Sequence, residues 1–183
     1  FAMPETGIGL FPDVGGTYFL PRCPGELGMY LALTGARCDV TDSKYAGVAT
    51  HVVPAPAHEE LIAALCAGDL PVERTLAKFA VTAENKSKLA GLQAEIDRHF
   101  AHDSVEGVFA SLESDKSMFA VETLKTLKTK SPTSLKVTHA QIGQGKRLGF
   151  EECMRLEFRL TNRFMRGHDF YEGVRAVIVE KDN

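Results

Sequence analysis

The sequence predicts an α/β first part, residues 1–71, followed by a mostly helical second part, residues 72–183. Three observations carry this expectation. Glycine-rich loops alternate with short apolar runs up to about Pro71, and a β-branched run, Val48-Ala-Thr-His-Val-Val53, sits between two helical patterns. Beyond Pro71, apolar residues recur at three- and four-residue spacing, the mark of amphipathic helices. A chain of 183 residues can bury a good core and fits one ordinary domain or a little more.

The elements follow in order. Phe1 falls within an apparent strand, and a tight loop rich in glycine and proline follows it. Gly25 to Thr34, with Leu27, Tyr30, Leu31 and Leu33, reads as a helix closed by Gly35. A short helix spans about Thr41 to Gly47, the strand 48–53 ends at Pro54, and His58 to Ala67 is helical up to the Gly68-Asp-Leu-Pro71 break. In the second part, Leu89, Leu92, Ile96 and Phe100 share one stripe of a helix from Glu84 to Ala101. Asp103-Ser-Val-Glu106 has the form of a capping box before a helix carrying Val105, Val108, Phe109 and Leu112. Lys116 to Lys130 is helical, Ser131-Pro132 starts the next helix with a capping serine and a first-turn proline, and Gly149 to Arg166 forms the last long helix, ending at Gly167.

Composition excludes several function classes. Hydrophobic residues make up 44% and charged residues 25%, as in globular proteins, and 24 acidic against 21 basic residues leave a formal charge of -3. No positive field draws the chain onto nucleic acid or an anionic membrane, and no apolar run approaches the roughly 20 residues that cross a bilayer. Cys23, Cys38, Cys66 and Cys153 form no C-x-x-C pair, which points to reduced thiols in a cytosol-like compartment. His99 and His102 lack a third ligand, so no metal is expected. The glycines do not form the G-x-G-x-x-G of a dinucleotide fold.

The chemistry-bearing residues stand at the start. Glu5 and Asp13, in Phe1-Ala-Met-Pro-Glu-Thr-Gly-Ile-Gly-Leu-Phe-Pro-Asp-Val-Gly-Gly16, are flanked by apolar residues, glycines and prolines, a pocket-like setting. On the residues alone, Glu5 reads either as an acid/base or nucleophile or as a strand-end carboxylate capping a turn, and Asp13 reads equally as a helix N-cap. Gly7, Gly9, Gly15 and Gly16 either let backbone approach a ligand such as an acyl chain or serve tight turns.

Three stretches, Phe1-Ala-Met-Pro-Glu5, Gly9-Leu-Phe-Pro-Asp-Val-Gly-Gly16 and Arg166-Gly-His-Asp-Phe-Tyr-Glu-Gly-Val-Arg-Ala176, carry a resemblance to the 3-hydroxyisobutyryl-CoA hydrolase branch of the enoyl-CoA hydratase/isomerase (crotonase) superfamily. The resemblance spans nearly the whole chain but only the second half of that family's domain. It implies the second half of a crotonase-like spiral core over residues 1–71, then a helical region for packing, oligomerisation and coenzyme A contacts. It implies hydrolysis of a short-chain 3-hydroxyacyl-CoA thioester, with coenzyme A entering as part of the substrate and no separate cofactor. Glu5 is then the nucleophile or the base that activates water, and Asp13 binds the substrate hydroxyl. Hydratases and isomerases of the superfamily carry glycine or alanine where Asp13 stands, in a Pro-Gly-Ala-Gly-Gly type of run, which favours hydrolysis.

Gly9 is a candidate for substrate contact. Lys181 matches a lysine that reaches the phosphates of coenzyme A in the family, although a C-terminal lysine is also simply solvated. The implied partners are an acyl-CoA, the N-terminal half that supplies oxyanion donors, and further copies of the chain. The implied compartment is the cytoplasm, or the mitochondrial matrix in a eukaryote. Two other readings stand beside this one: an enoyl-CoA hydratase or isomerase, and a non-catalytic helical assembly fragment.

Overall fold

The computed structural model describes residues 1–82 and 86–182. In chain order, a 3₁₀ turn at Glu5–Ile8 precedes α1 (Gly16–Phe19), and a 3₁₀ turn at Leu20–Arg22 leads to α2 (Leu27–Thr34). Then come α3 (Val40–Tyr45), α4 (His58–Ala67), α5 (Val72–Phe79), α6 (Lys88–Phe100), α7 (Val105–Ser114), α8 (Met118–Leu127), α9 (Pro132–Gly145), α10 (Phe150–Phe164) and α11 (Asp169–Val174), with a π-helical turn at Arg175–Val179. Among the described residues there is no strand.

The strand expected over 48–53 is therefore corrected. Among the described residues its Val52 carbonyl accepts one bond, from the Val81 amide at 2.8 Å, and a ladder needs repeated partners. Phe1, likewise expected in a strand, exchanges two bonds with Cys38, at 3.0 and 2.8 Å, but no neighbouring pair extends them. The helices fare better because their signals are local. Gly35 closes α2 at φ +68, and Ser131 accepts the Ser134 amide with Pro132 in the first turn of α9. α4 spans His58–Ala67 as expected, yet none of its residues is buried. The capping box before α7 is displaced by one residue: Ser104 is the cap, accepting from Gly107, so Glu106 falls one short of the reciprocal position and pairs with Lys136 at 2.6 Å instead. α6 begins at Lys88, and the expected start at Glu84 lies outside the described residues.

The residues divide into two compact units, Phe1 with Cys38–Gly91, and Ala2–Arg37 with Leu92–Asn183. Within the first unit α4 and α5, on either side of Pro71, pack on each other. In the first unit, Asp39 caps α3, and the buried Asp42 accepts from Ser87 Oγ at 2.7 Å and Leu89 N at 3.0 Å, fixing the start of α6.

The second unit is built around α2, which is buried on every side except at Tyr30. A helix this apolar has to be central. It packs on α8 and α9 and on the turn at Leu20–Arg22. Two contacts are closer than any side chain allows: a Cβ on Gly28 would lie 1.7 Å from the Leu20 carbonyl oxygen, and one on Gly145 would lie 2.0 Å from that of Thr17. The second contact draws α9 against α1. Ile96, Phe100, Val108, Leu112, Leu127, Leu135 and Ile142 complete the core, and His99, 2% exposed, bridges Ser111 and Asp115 to tie α6 to α7.

Candidate active site

Glu5 opens a 3₁₀ turn rather than ending a strand, and that turn is anchored on both sides. Thr6 Oγ1 donates to the Leu33 carbonyl at 3.1 Å at the end of α2, and the Thr6 carbonyl accepts from Ser131 N at 3.1 Å at the start of α9. Glu5 Oε2 is buried with no hydrogen-bond partner. Burial, and then the charge of Asp13, push the Glu5 carboxyl above its ordinary value, against the pull of a backbone N–H. The group borders a cavity of about 390 Å³ whose apolar walls are Ile8, Val177 and Ile178 and whose polar edge is Thr129 and Lys130. Burial holds the Lys130 ammonium below the usual lysine range. In the sequence Lys130 reads only as the end of a helix before Ser131-Pro132.

Asp13 stands on a loop of unusual backbone. Phe11 is fully buried against Phe164, with ring centroids 5.3 Å apart, and Pro12 is buried beside it. Val14 has φ +45 and is 82% exposed, and Gly15 has φ +97. A β-branched residue in the left-handed region is strained, so something must hold this loop. Glu157 of α10 accepts from Gly15 N at 3.0 Å and Thr17 N at 2.9 Å. Gln141 of α9 donates to the Pro12 carbonyl at 2.7 Å and to Thr17 Oγ1 at 2.6 Å. The reading of Asp13 as a helix cap is corrected: Gly15 is the cap residue of α1, and only the Asp13 carbonyl is used, by Gly16 N at 2.8 Å. Burial, and then the Glu157 charge, raise the pKa of the Asp13 carboxyl, against the pull of its own backbone N–H.

Glu5 and Asp13 thus stand close enough for the first to feel the charge of the second, and Asp13 in turn feels Glu157. Carboxyl groups raised toward neutrality suit general acid/base or nucleophilic chemistry. Gly9 lies elsewhere in role: it closes the 3₁₀ turn at φ +71, and a Cβ there would meet the Asp169 carbonyl oxygen at 2.1 Å, so it admits α11 against the turn. Asp169 Oδ2 also accepts from Ser131 Oγ at 2.8 Å. Lys181 is exposed at φ +56, three positions past Ile178 of the cavity wall. Arg175 is occupied by Glu172, Glu180 and Asp182, which hold its pKa above the ordinary value. Glu157 and Gln141 belong to no motif of the sequence. Their signal is present only as a charged and a polar residue on buried helix faces, Glu157 one turn after Cys153.

Comparison with known proteins gives a consistent picture. The 3-hydroxyisobutyryl-CoA hydrolase, mitochondrial, of Xenopus tropicalis is 46% identical over 190 residues, covering 100% of this chain and 49% of the relative. The protein of the same name from Homo sapiens is 44% identical with the same coverage. The chain spans about half the length of the curated relatives it matches. Among solved structures, a carnitinyl-CoA dehydratase from Mycobacterium thermoresistibile superposes with TM-score 0.89 at 37% identity, over 97% of this chain and 52% of that one. An enoyl-CoA hydratase from Rhodobacter sphaeroides superposes with TM-score 0.85 at 42% identity, over 98% and 51%. These neighbours give the crotonase fold to a chain whose described residues are 66% helical, and the match to the curated hydrolases covers their C-terminal half. The model for Enoyl-CoA hydratase/isomerase matches residues 1–183, and the chain belongs to that family.

Proposed function

We propose that this chain carries the carboxylate half of an acyl-CoA thioester hydrolase acting on a short-chain 3-hydroxyacyl-CoA of the 3-hydroxyisobutyryl type. The observation that carries the reading is Glu5: a carboxylate with one oxygen buried and unpartnered, on the edge of an apolar cavity, in the field of a second carboxylate. A structural carboxylate would be hydrogen-bonded on burial. The names of the curated relatives support the substrate class.

In the proposed reaction, a Glu5 oxygen adds to the thioester carbonyl carbon, or takes a proton from a water that adds there. In the first route the C–S bond breaks as a Glu5 acyl anhydride forms, and water hydrolyses it to the free acid and the Glu5 carboxylate, its remaining proton going to the coenzyme A thiolate; in the second, the C–S bond breaks as the free acid forms, and the proton that Glu5 took from the water passes to the thiolate. Asp13 accepts a hydrogen bond from the 3-hydroxyl and so orients the acyl group. The donors for the developing oxyanion are proposed to come from the other half of a protein about twice this length, which is the length of the curated relatives. Gly9 supports the site by letting α11 approach, and Lys181 is proposed to meet the phosphates of coenzyme A. We further propose a homo-oligomer, supported by Phe158 at 72% exposure on α10; light scattering at the single-chain mass would refute it. The names of the relatives support a mitochondrial location in a eukaryotic source, and among the described residues no helix is long and apolar enough to cross a membrane.

The solved neighbours named dehydratase and hydratase favour a second reading, addition or removal of water with the thioester intact. Incubating the full-length protein with 3-hydroxyisobutyryl-CoA separates the two. Steady appearance of free thiol is expected; a changed acyl group still bound to coenzyme A, without thiol, would overturn hydrolysis.

A further inference from the structure

We propose that Glu157 is a positioning residue for the reaction, clamping the loop that carries Asp13 and so fixing where the Asp13 carboxylate stands. The proposal rests on the reading of Asp13 as the partner of the substrate hydroxyl.

Glu157 is 6% exposed and lies on the buried face of α10 with Cys153 and Phe164. A carboxylate at such a position is costly unless charge-assisted hydrogen bonds offset its desolvation, and a well-packed apolar side chain there would commonly serve stability as well or better. Cohesion alone does not account for an acid on this face. What the carboxylate does is specific: each of its oxygens takes one loop amide, Gly15 N and Thr17 N, on the C-terminal side of Asp13. Gln141 holds the Pro12 carbonyl on the other side and reaches across to Thr17 Oγ1. Asp13 therefore sits on a short arch gripped at both feet from two different helices.

The arch needs gripping. Val14, the residue after Asp13, is held at φ +45, and its side chain is almost wholly in solvent, so nothing about its own packing keeps it there. Released from the two amide bonds, the loop can relax toward ordinary backbone angles and carry Asp13 with it. Displacements of about 1 Å at a reacting group cost on the order of 100-fold in rate.

The same carboxylate also acts on Asp13 through its charge, adding to the effect of burial on the Asp13 carboxyl. Glu5 is the other acid that couples to this pair, from the 3₁₀ turn. Arg22, on the turn after α1, is engaged with the carbonyls of Tyr18, Gly145 and Leu148.

The test uses Glu157→Gln in the full-length protein, with and without Asp13→Asn. In folded Glu157→Gln, kcat/KM for 3-hydroxyisobutyryl-CoA is expected to fall about 10- to 100-fold. Coenzyme A affinity should stay within about twofold, and the Asp13 carboxyl, followed by carbon NMR, should titrate at lower pH because a neighbouring negative charge is gone. Added to Asp13→Asn, the same change should cost less than about twofold more, since the group it positions is already neutral. An equal loss in both backgrounds, or an unmoved Asp13 midpoint, overturns the proposal. If Asp13→Asn alone keeps full turnover while the Asp13 midpoint still moves in Glu157→Gln, the clamp stands and the catalytic reading of Asp13 falls. Should Glu157→Gln fail to fold, Gln141→Met loosens the other foot of the arch. It should lower kcat/KM with the Asp13 midpoint unmoved, and undiminished kcat/KM overturns the proposal.

Discussion

Replacing Glu5 by Gln should abolish turnover and at the same time stabilise the protein at neutral pH, a pairing that separates a working carboxylate from a structural one. In the native state Glu5 Oε2 is buried without a donor, and Asp13 adds repulsion. Gln leaves that buried atom unpaired but removes the desolvated charge and its repulsion by Asp13, and Glu5 is only partly enclosed, so a gain of about 1 kcal/mol is the reasonable size. For a protein of this size that corresponds to a rise in Tm of roughly 2–4 °C. The pH dependence fixes the cause. A carboxyl whose folded pKa is raised above the ordinary 4.5 contributes its stability below that value and loses it as pH climbs through the raised one. The advantage of Glu5→Gln should therefore be small near about pH 4 and level off by about pH 8. Urea unfolding of both proteins across that range measures it. A variant less stable than the parent at about pH 8, or a difference that does not change with pH, would refute the account of Glu5 as an unpartnered buried acid.

Asp13→Asn should leave stability within about 0.5 kcal/mol, because the side chain caps nothing, while hydrolysis of the hydroxyacyl substrate falls about 10-fold or more; a melt and a thiol assay on one preparation check both. Gly145→Ala should cost about 1–3 kcal/mol, since its Cβ would enter the Thr17 carbonyl, whereas Gly143→Ala on the same helix meets nothing within 4 Å and should gain about 0.5–1 kcal/mol. Equal effects at the two glycines in denaturant melts would remove the close contact of α9 with α1.

How much of this was legible depended on the range over which each signal acts. Ser131-Pro132, Gly35 and His58–Ala67 were readable because caps and breakers work within a few residues. The run Val48–Val53 misleads for the opposite reason: β-branched composition is a local trait, but a strand exists only through its partners, and among the described residues Val52 finds one bond. At the site, Glu5 and Asp13 stood out because glycine and proline surround them. Their support did not, because Gln141 and Glu157 meet the loop only in three dimensions. Periodicity had marked the buried side of α10 through Cys153 and Phe164, and an acid on that same side was the one available hint.

The two bonds from Glu157 to the loop close stretches of 142 and 140 residues. Helices can form early from neighbours, whereas such a closure must await the docking of α10. A chain cut short before Phe150 retains both acids and still lacks the shape that makes them useful: the far end of the polypeptide holds the memory of how its beginning should fold.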